Sequence, residues 1–139
     1  MYSGIEVAKY VINRCNEKGK PISNLYLQKI LYFIQSEYKQ KTNEWLISDD
    51  FLAWPYGPVL KDVYDEYNWY YSSRRSEYYD DVDLQDANTD IVDEIIDDKR
   101  KKTAGQLVED SHKEGGAWKR AFNGFKTTII PKEFIEIEL

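Results

Sequence analysis

Cysteine, histidine and methionine each occur once in this 139-residue chain. One cysteine excludes an intramolecular disulfide and a cysteine-rich zinc site. One histidine leaves little from which to assemble a nucleophile and base. No apolar run approaches the roughly 20 residues that a membrane-spanning helix needs, and the opening MYSGIEVAKYVINRC carries charge too early and too often for a signal peptide. A Gly-rich phosphate loop, zinc-ligand spacing and a zincin motif are all missing. Positive charge is also in deficit. A net charge of −6 and a pI near 4.9 argue against binding nucleic acid by phosphate neutralisation. The expectations are a cytoplasmic protein with no cofactor, no metal, no membrane partner and no enzymatic activity.

What the chain has is large apolar surface. It is 42% hydrophobic and 15% aromatic, with 12 tyrosines and 4 tryptophans, enough to offset the entropy of ordering one compact domain over residues 1–139. Ser3-Gly4-Ile5-Glu6 is a capping box, and Val7, Ala8, Val11, Ile12 and Cys15 then recur at helical spacing, so a first helix is predicted over residues 4–18. Gly19 and Pro21 stop it. Ser23 caps a second helix over 24–41, in which Leu27, Ile30, Leu31, Ile34 and Tyr38 form a core-facing stripe. Lys29, Ser36 and Gln40 fall on the opposite side. Gln28, Tyr32, Gln35 and Lys39 share a flank that reads as a solvated border, or, in the sharper reading, as part of a partner-binding face.

Residues 45–54 favour a short strand or hairpin. Pro58 suits the first turn of a third helix running to about Tyr71. Composition reads the Trp54-Pro55-Tyr56-Gly57-Pro58 corner as an aromatic plug over the core, with a contact hot spot as its functional alternative. Residues 72–88 form an acidic loop. A fourth helix begins near Thr89, with Asp97–Lys101 and Asp98–Lys102 as supporting pairs and the run Lys99-Arg100-Lys101-Lys102 opposing the macrodipole at its end. A fifth helix, capped by Thr103, runs to Gly115-Gly116. A short helix bearing Trp118 follows, and Pro131 is read as starting a last one. The fold class is mainly α: a single multi-helix domain of about five to seven helices with a short strand or hairpin near 45–54.

Three pieces of wording carry a resemblance. Leu27-Gln28-Lys29-Ile30-Leu31-Tyr32-Phe33 is similar to the LQKLLYFAQ helix of the Panacea domain, the SocA-like antitoxin family. Phe51-Leu52-Ala53-Trp54-Pro55-Tyr56-Gly57-Pro58-Val59 resembles its IEAWKYGPV turn, and Leu107 to His112 with Trp118 resembles its later L…TH…PW segment. Ser111 stands where that family has threonine, and Gly115-Gly116-Ala117 precede Trp118 where a proline is common. No helix-turn-helix or zinc-binding segment is appended, so operator binding would need another chain.

The resemblance implies an antitoxin of a bacterial or phage toxin–antitoxin pair that neutralises its toxin by stoichiometric protein–protein binding. An adaptor delivering the toxin to an AAA+ protease is the alternative within the family. A nucleic-acid-linked regulator using residues 99–102 is the alternative outside it. The motif residues expected at the functional core are Gln28, Lys29, Tyr32, Trp54, Tyr56, Gly57, Pro58, His112 and Trp118. The partner is a toxin protein, the protease a second partner in the adaptor reading; the oligomeric state is open, a homodimer included.

Overall fold

The computed structural model describes residues 1–68 and 78–137. Helix α1 (Gly4–Glu17) opens with the expected capping box: Ser3 Oγ accepts from Glu6 N and Glu6 Oε1 accepts from Ser3 N, both at 3.1 Å. Ser23 caps α2 (Asn24–Thr42). There follow β1 (Leu52–Trp54), β2 (Gly57–Val59), α3 (Lys61–Tyr67), α4 (Thr89–Lys99), α5 (Ala104–Ser111), α6 (Ala117–Ala121) and α7 (Lys132–Glu136). The described residues thus form a mainly α fold of seven helices and one antiparallel hairpin. The helix over 4–18, the cap at Ser23, the start at Thr89 and the cap at Thr103 all lie where the sequence puts them.

Helix α2 is the axis. It packs against α1, α3, α4, α5, α7 and β2, and its stripe of Leu27, Ile30, Leu31, Ile34 and Tyr38 is buried as predicted. Its polar flank corrects the sequence reading. Gln28, Lys29, Gln35 and Ser36 are buried too, because neighbours enclose the helix on several faces rather than one. Only Gln40 of the supposed outer side is exposed.

The buried amides have work to do there. Gln35 Oε1 accepts from Ile47 N at 2.9 Å, and its Nε2 donates to Ile47 O at 2.9 Å. Gln28 repeats the pattern on Leu60, accepting from its N–H at 2.9 Å and donating to its carbonyl at 3.4 Å. On α1, Asn13 does the same for Tyr79, with both bonds at 2.8 Å. Each amide pairs the donor and the acceptor of one residue lying outside regular structure, where ladder partners are lacking.

The hairpin is shorter and later than expected. Residues 45–51 are not a strand, although Ile47 bridges Tyr2. Pairing joins Leu52 to Val59, Ala53 to Pro58 and Trp54 to Gly57. Pro58 therefore belongs to β2, not to the first turn of a helix, and α3 begins three residues later. The edge position tolerates it because proline lacks only the donor. The predicted extension of α3 to Tyr71 lies beyond the described residues, as does part of the acidic loop. Residues 128–130 run along the other edge of β1, with Ala53 N donating to Thr128 O at 2.9 Å and Ile130 N to Phe51 O at 2.8 Å.

Two further expectations are displaced by tertiary contacts. Asp97 pairs with Arg14 at 2.7 Å instead of with Lys101, and Asp98 lies 3.6 Å from Lys99, with Lys102 on Asp110 at 2.7 Å. Helix α5 ends at Ser111, with His112 as its C-cap, before Gly115-Gly116 is reached.

Replacing Gln35 with alanine would strand a buried donor and acceptor at Ile47. A loss of about 3 kcal/mol is expected, given about 1–3 kcal/mol for each unsatisfied buried group. Urea unfolding of Gln35→Ala measures it.

Candidate functional site

The hairpin tip stands over the N-terminal half of α2, and one contact sets its height. Lys29, with no solvent exposure, donates from Nζ to Pro58 O at 2.7 Å. The strand above it can come that close because residue 57 is glycine. Its φ of +114° is a backbone region that side chains rarely adopt. A Cβ there would lie 2.7 Å from Ser111 Oγ and 3.1 Å from Lys29 Nζ. Ser111 Oγ is itself committed to Val108 O at 2.8 Å, so α5 presses on the turn from the far side.

The third sequence motif locks the hairpin laterally. Trp118 Nε1 donates to Trp54 O at 2.7 Å. The Trp118 ring lies between His112, stacked at 3.8 Å, and Phe122 at 4.7 Å. His112 also hydrogen-bonds the Tyr56 main chain, while its Nε2 is buried without a partner. Trp54 Nε1 donates to Lys126 O at 2.8 Å, and its ring meets Tyr64 edge-on at 4.9 Å.

Eight of the nine expected residues therefore converge: Gln28, Lys29, Trp54, Tyr56, Gly57, Pro58, His112 and Trp118 all hold or form the turn. Tyr32 does not. It sits in the core, edge-on to Phe51 at 5.5 Å and to Phe33 at 5.4 Å. The plug reading of the corner needs correction as well. Gly57 and Pro58 are buried and Trp54 half-buried, but Pro55 and Tyr56 are exposed, Tyr56 to 63%. The corner closes the core with its stem and presents its tip.

A cleft of about 180 Å³ opens beside the tip, lined by Leu25, Gln28, Lys29, Trp54, Tyr56 and Tyr64 among others. Next to it lie exposed apolar groups that sequence reasoning missed. Phe125 is 70% exposed, and Phe122 and Ile129 also reach solvent. They stand near the tip because the Trp118–Phe122 stack, the Trp54–Lys126 bond and the Leu52–Ile129 bridge hold residues 122–130 against the hairpin. No helical or strand periodicity marks that segment, so only its isolated aromatics could have signalled it.

Burial governs the electrostatics. It lowers the Lys29 ammonium from its ordinary value of 10.5 to about 7, and among the described residues no carboxylate lies within ion-pair distance to compensate. His112 is lowered by burial first, then by the positive charges of Lys29 and Lys119. The basic run behaves differently. Lys99 pairs with Glu37 at 2.5 Å and lies over the Phe33 ring. Arg100 covers the Tyr26 ring, and Lys102 pairs with Asp110. Three of these four cations are spent within the fold.

Two measurements follow. Gly57→Ala would have to push Ser111 and Lys29 aside and adopt a disfavoured φ, and a loss of about 3 kcal/mol or more is expected in urea unfolding. For Lys29, the unfolded chain takes up the proton near pH 10.5 and the fold only near pH 7. Its contribution to stability is therefore full above pH 10.5 and is lost as the pH falls towards 7. At about 1.4 kcal/mol per tenfold change in proton affinity, several kcal/mol are at stake. Lys29→Met is expected to melt higher than the parent chain at pH 7, and to lose most of the rise in stability between pH 7 and 10.

Comparison with known proteins places these residues in a wider context. The family model for the antitoxin SocA-like, Panacea domain matches residues 27–119. The chain is 28% identical to Antitoxin SocA of Caulobacter vibrioides (strain NA1000 / CB15N), over 88% of this chain and 72% of that protein. No solved structure matches.

Proposed function

The chain belongs to the antitoxin SocA-like, Panacea domain family, and on that premise we propose that residues 1–139 act as one domain that neutralises a toxin by stoichiometric binding in the cytoplasm. No bond is made or broken by this chain in that role. The hairpin face is its contact surface. The observation that carries this assignment is the convergence of the family-matched turn with exposed Tyr56, Phe122, Phe125 and Ile129 on one side of the molecule. Exposed aromatic anchors on a rigid support are the composition of a protein contact.

Rigidity is what the buried part of the motif supplies. Lys29, Gly57, Ser111 and Trp118 fix the stem of the turn from below and from both sides, so the exposed tip stands on a support that needs little further ordering on binding. The nucleic-acid reading has less support. Releasing the basic run to phosphates would break the Lys99–Glu37 and Lys102–Asp110 pairs and uncover the Phe33 and Tyr26 rings.

The test is recovery of the tagged chain from its host cells, with identification of any protein present in near-equal amount. The expected partner arrests growth when expressed alone and is relieved by co-expression of this chain. Tyr56→Ala combined with Phe125→Ser should abolish protection while leaving the helical circular dichroism signal intact. Trp54→Ala is a poorer probe because that ring also braces Lys126 and Tyr64. Full protection by the double variant would move the contact surface elsewhere.

A further inference from the structure

We propose that the cleft between Trp54, Tyr56 and Tyr64 is a receptor for a glutamate or aspartate side chain of the protein partner, with Lys29 at its base as the counter-charge. This deepens the antitoxin reading and rests on it for the identity of the partner. Charge is the first argument. Acidic residues outnumber basic ones by 25 to 19 in the chain, yet the lining of this cleft carries Lys29 and Lys126 and no carboxylate. The sign of the charge is thus inverted at this cleft, beside the half-buried Trp54 and the exposed Tyr56.

Lys29 also has an incomplete bonding shell. An ammonium group has three donors, and Lys29 uses one, on Pro58 O. Its charge is felt at His112, a group of like sign when charged. A buried cation is ordinarily paired or neutralised, and among the described residues no carboxylate lies within ion-pair distance of this one. A carboxylate arriving from outside would supply both the charge and the missing acceptors, and charge-assisted bonds of that kind are the stronger class.

Size and walls narrow the occupant. About 180 Å³ falls below the roughly 300–1,000 Å³ of small-molecule sites and suits one side chain. Leu25, Trp54, Val59 and Tyr64 give the walls an apolar character that fits the methylene stem of an acidic side chain better than a free inorganic anion. The exposed aromatics of the proposed contact face lie alongside, so a partner seated there has a route in. Lys29 is closed to solvent in this conformation. The exposed Pro55–Tyr56 tip is the part of the rim that must shift to admit the carboxylate.

The experiment uses the intact chain and three short peptides: acetyl-Phe-Glu-Phe-amide, the same peptide with Gln for Glu, and acetyl-Phe-Phe with a free C-terminus. Trp fluorescence and the Lys29 side-chain NMR signal, assigned with Lys29→Met, report binding. The Glu peptide is expected to bind at least about tenfold more tightly than the Gln peptide and to move the Lys29 titration upward, as a nearby anion must. Lys29→Met should retain its helical signal and lose the preference for Glu. Equal binding of the Glu and Gln peptides, or no change at Lys29, would overturn the proposal. Binding of the free-terminus peptide alone would overturn it in favour of a chain-end receptor. These titrations involve no toxin, so they stand apart from the antitoxin reading. Conversely, a toxin captured equally well by Lys29→Met would leave that reading intact and remove the cleft from it.

Discussion

Main-chain groups outside helices and strands still need partners when they are buried, and this fold meets that requirement with side-chain amides. Gln35, Gln28 and Asn13 each clasp both polar groups of a single residue, at Ile47, Leu60 and Tyr79. The first two sit seven residues apart on α2, two helical turns, and so project from the same side of it. One pins the loop that precedes the hairpin and the other pins the chain as it leaves the hairpin. The direction of the turn follows from those two anchors, its height from the Lys29–Pro58 contact, and the placing of its exposed tip from both.

Lys29 occupies the next position on α2 after Gln28 and also reaches the chain above it, but its energetics run the other way. A single hydrogen bond to Pro58 O contributes about 1–3 kcal/mol. Desolvating the ammonium costs more, as the fall in its proton affinity from 10.5 to about 7 shows. An amide or an apolar group would be the cheaper occupant. Gly57 accommodates the contact with a φ of +114°, a region open to glycine and closed to most side chains. That costly occupant sits beneath the turn whose tip carries exposed Tyr56.

The sequence showed its helices through caps and apolar spacing, and those readings survived because capping is local chemistry. Ser3, Ser23 and Thr103 accept from main-chain donors three residues on, whatever the rest of the chain does. What stayed hidden depends on neighbours. Periodicity sorts polar residues onto an outer face, but α2 has almost none, so Gln28, Lys29, Gln35 and Ser36 were placed on faces that the fold encloses. Pro58 fits a helix start and a strand edge equally well by its own geometry, and only pairing with Ala53 decides between them. The site was legible mainly as wording. The motifs named eight residues that meet, yet composition could not show that Tyr32 stays in the core or that Phe122, Phe125 and Lys126 come to the hairpin.

Two surfaces stand out as candidates for contact, the basic run and the hairpin face, and they differ in what binding would have to undo. Lys99, Arg100 and Lys102 already have partners, two carboxylates and two aromatic rings among them. A phosphate would have to exceed those interactions before contributing anything. At the hairpin, Tyr56 and Phe125 lose only water, and among the described residues no carboxylate lies within ion-pair distance of Lys29. Net affinity is the surplus over what is broken. On that comparison the hairpin face is the surface with interactions still to gain, and a protein that brings both apolar area and a carboxylate to it gains the most.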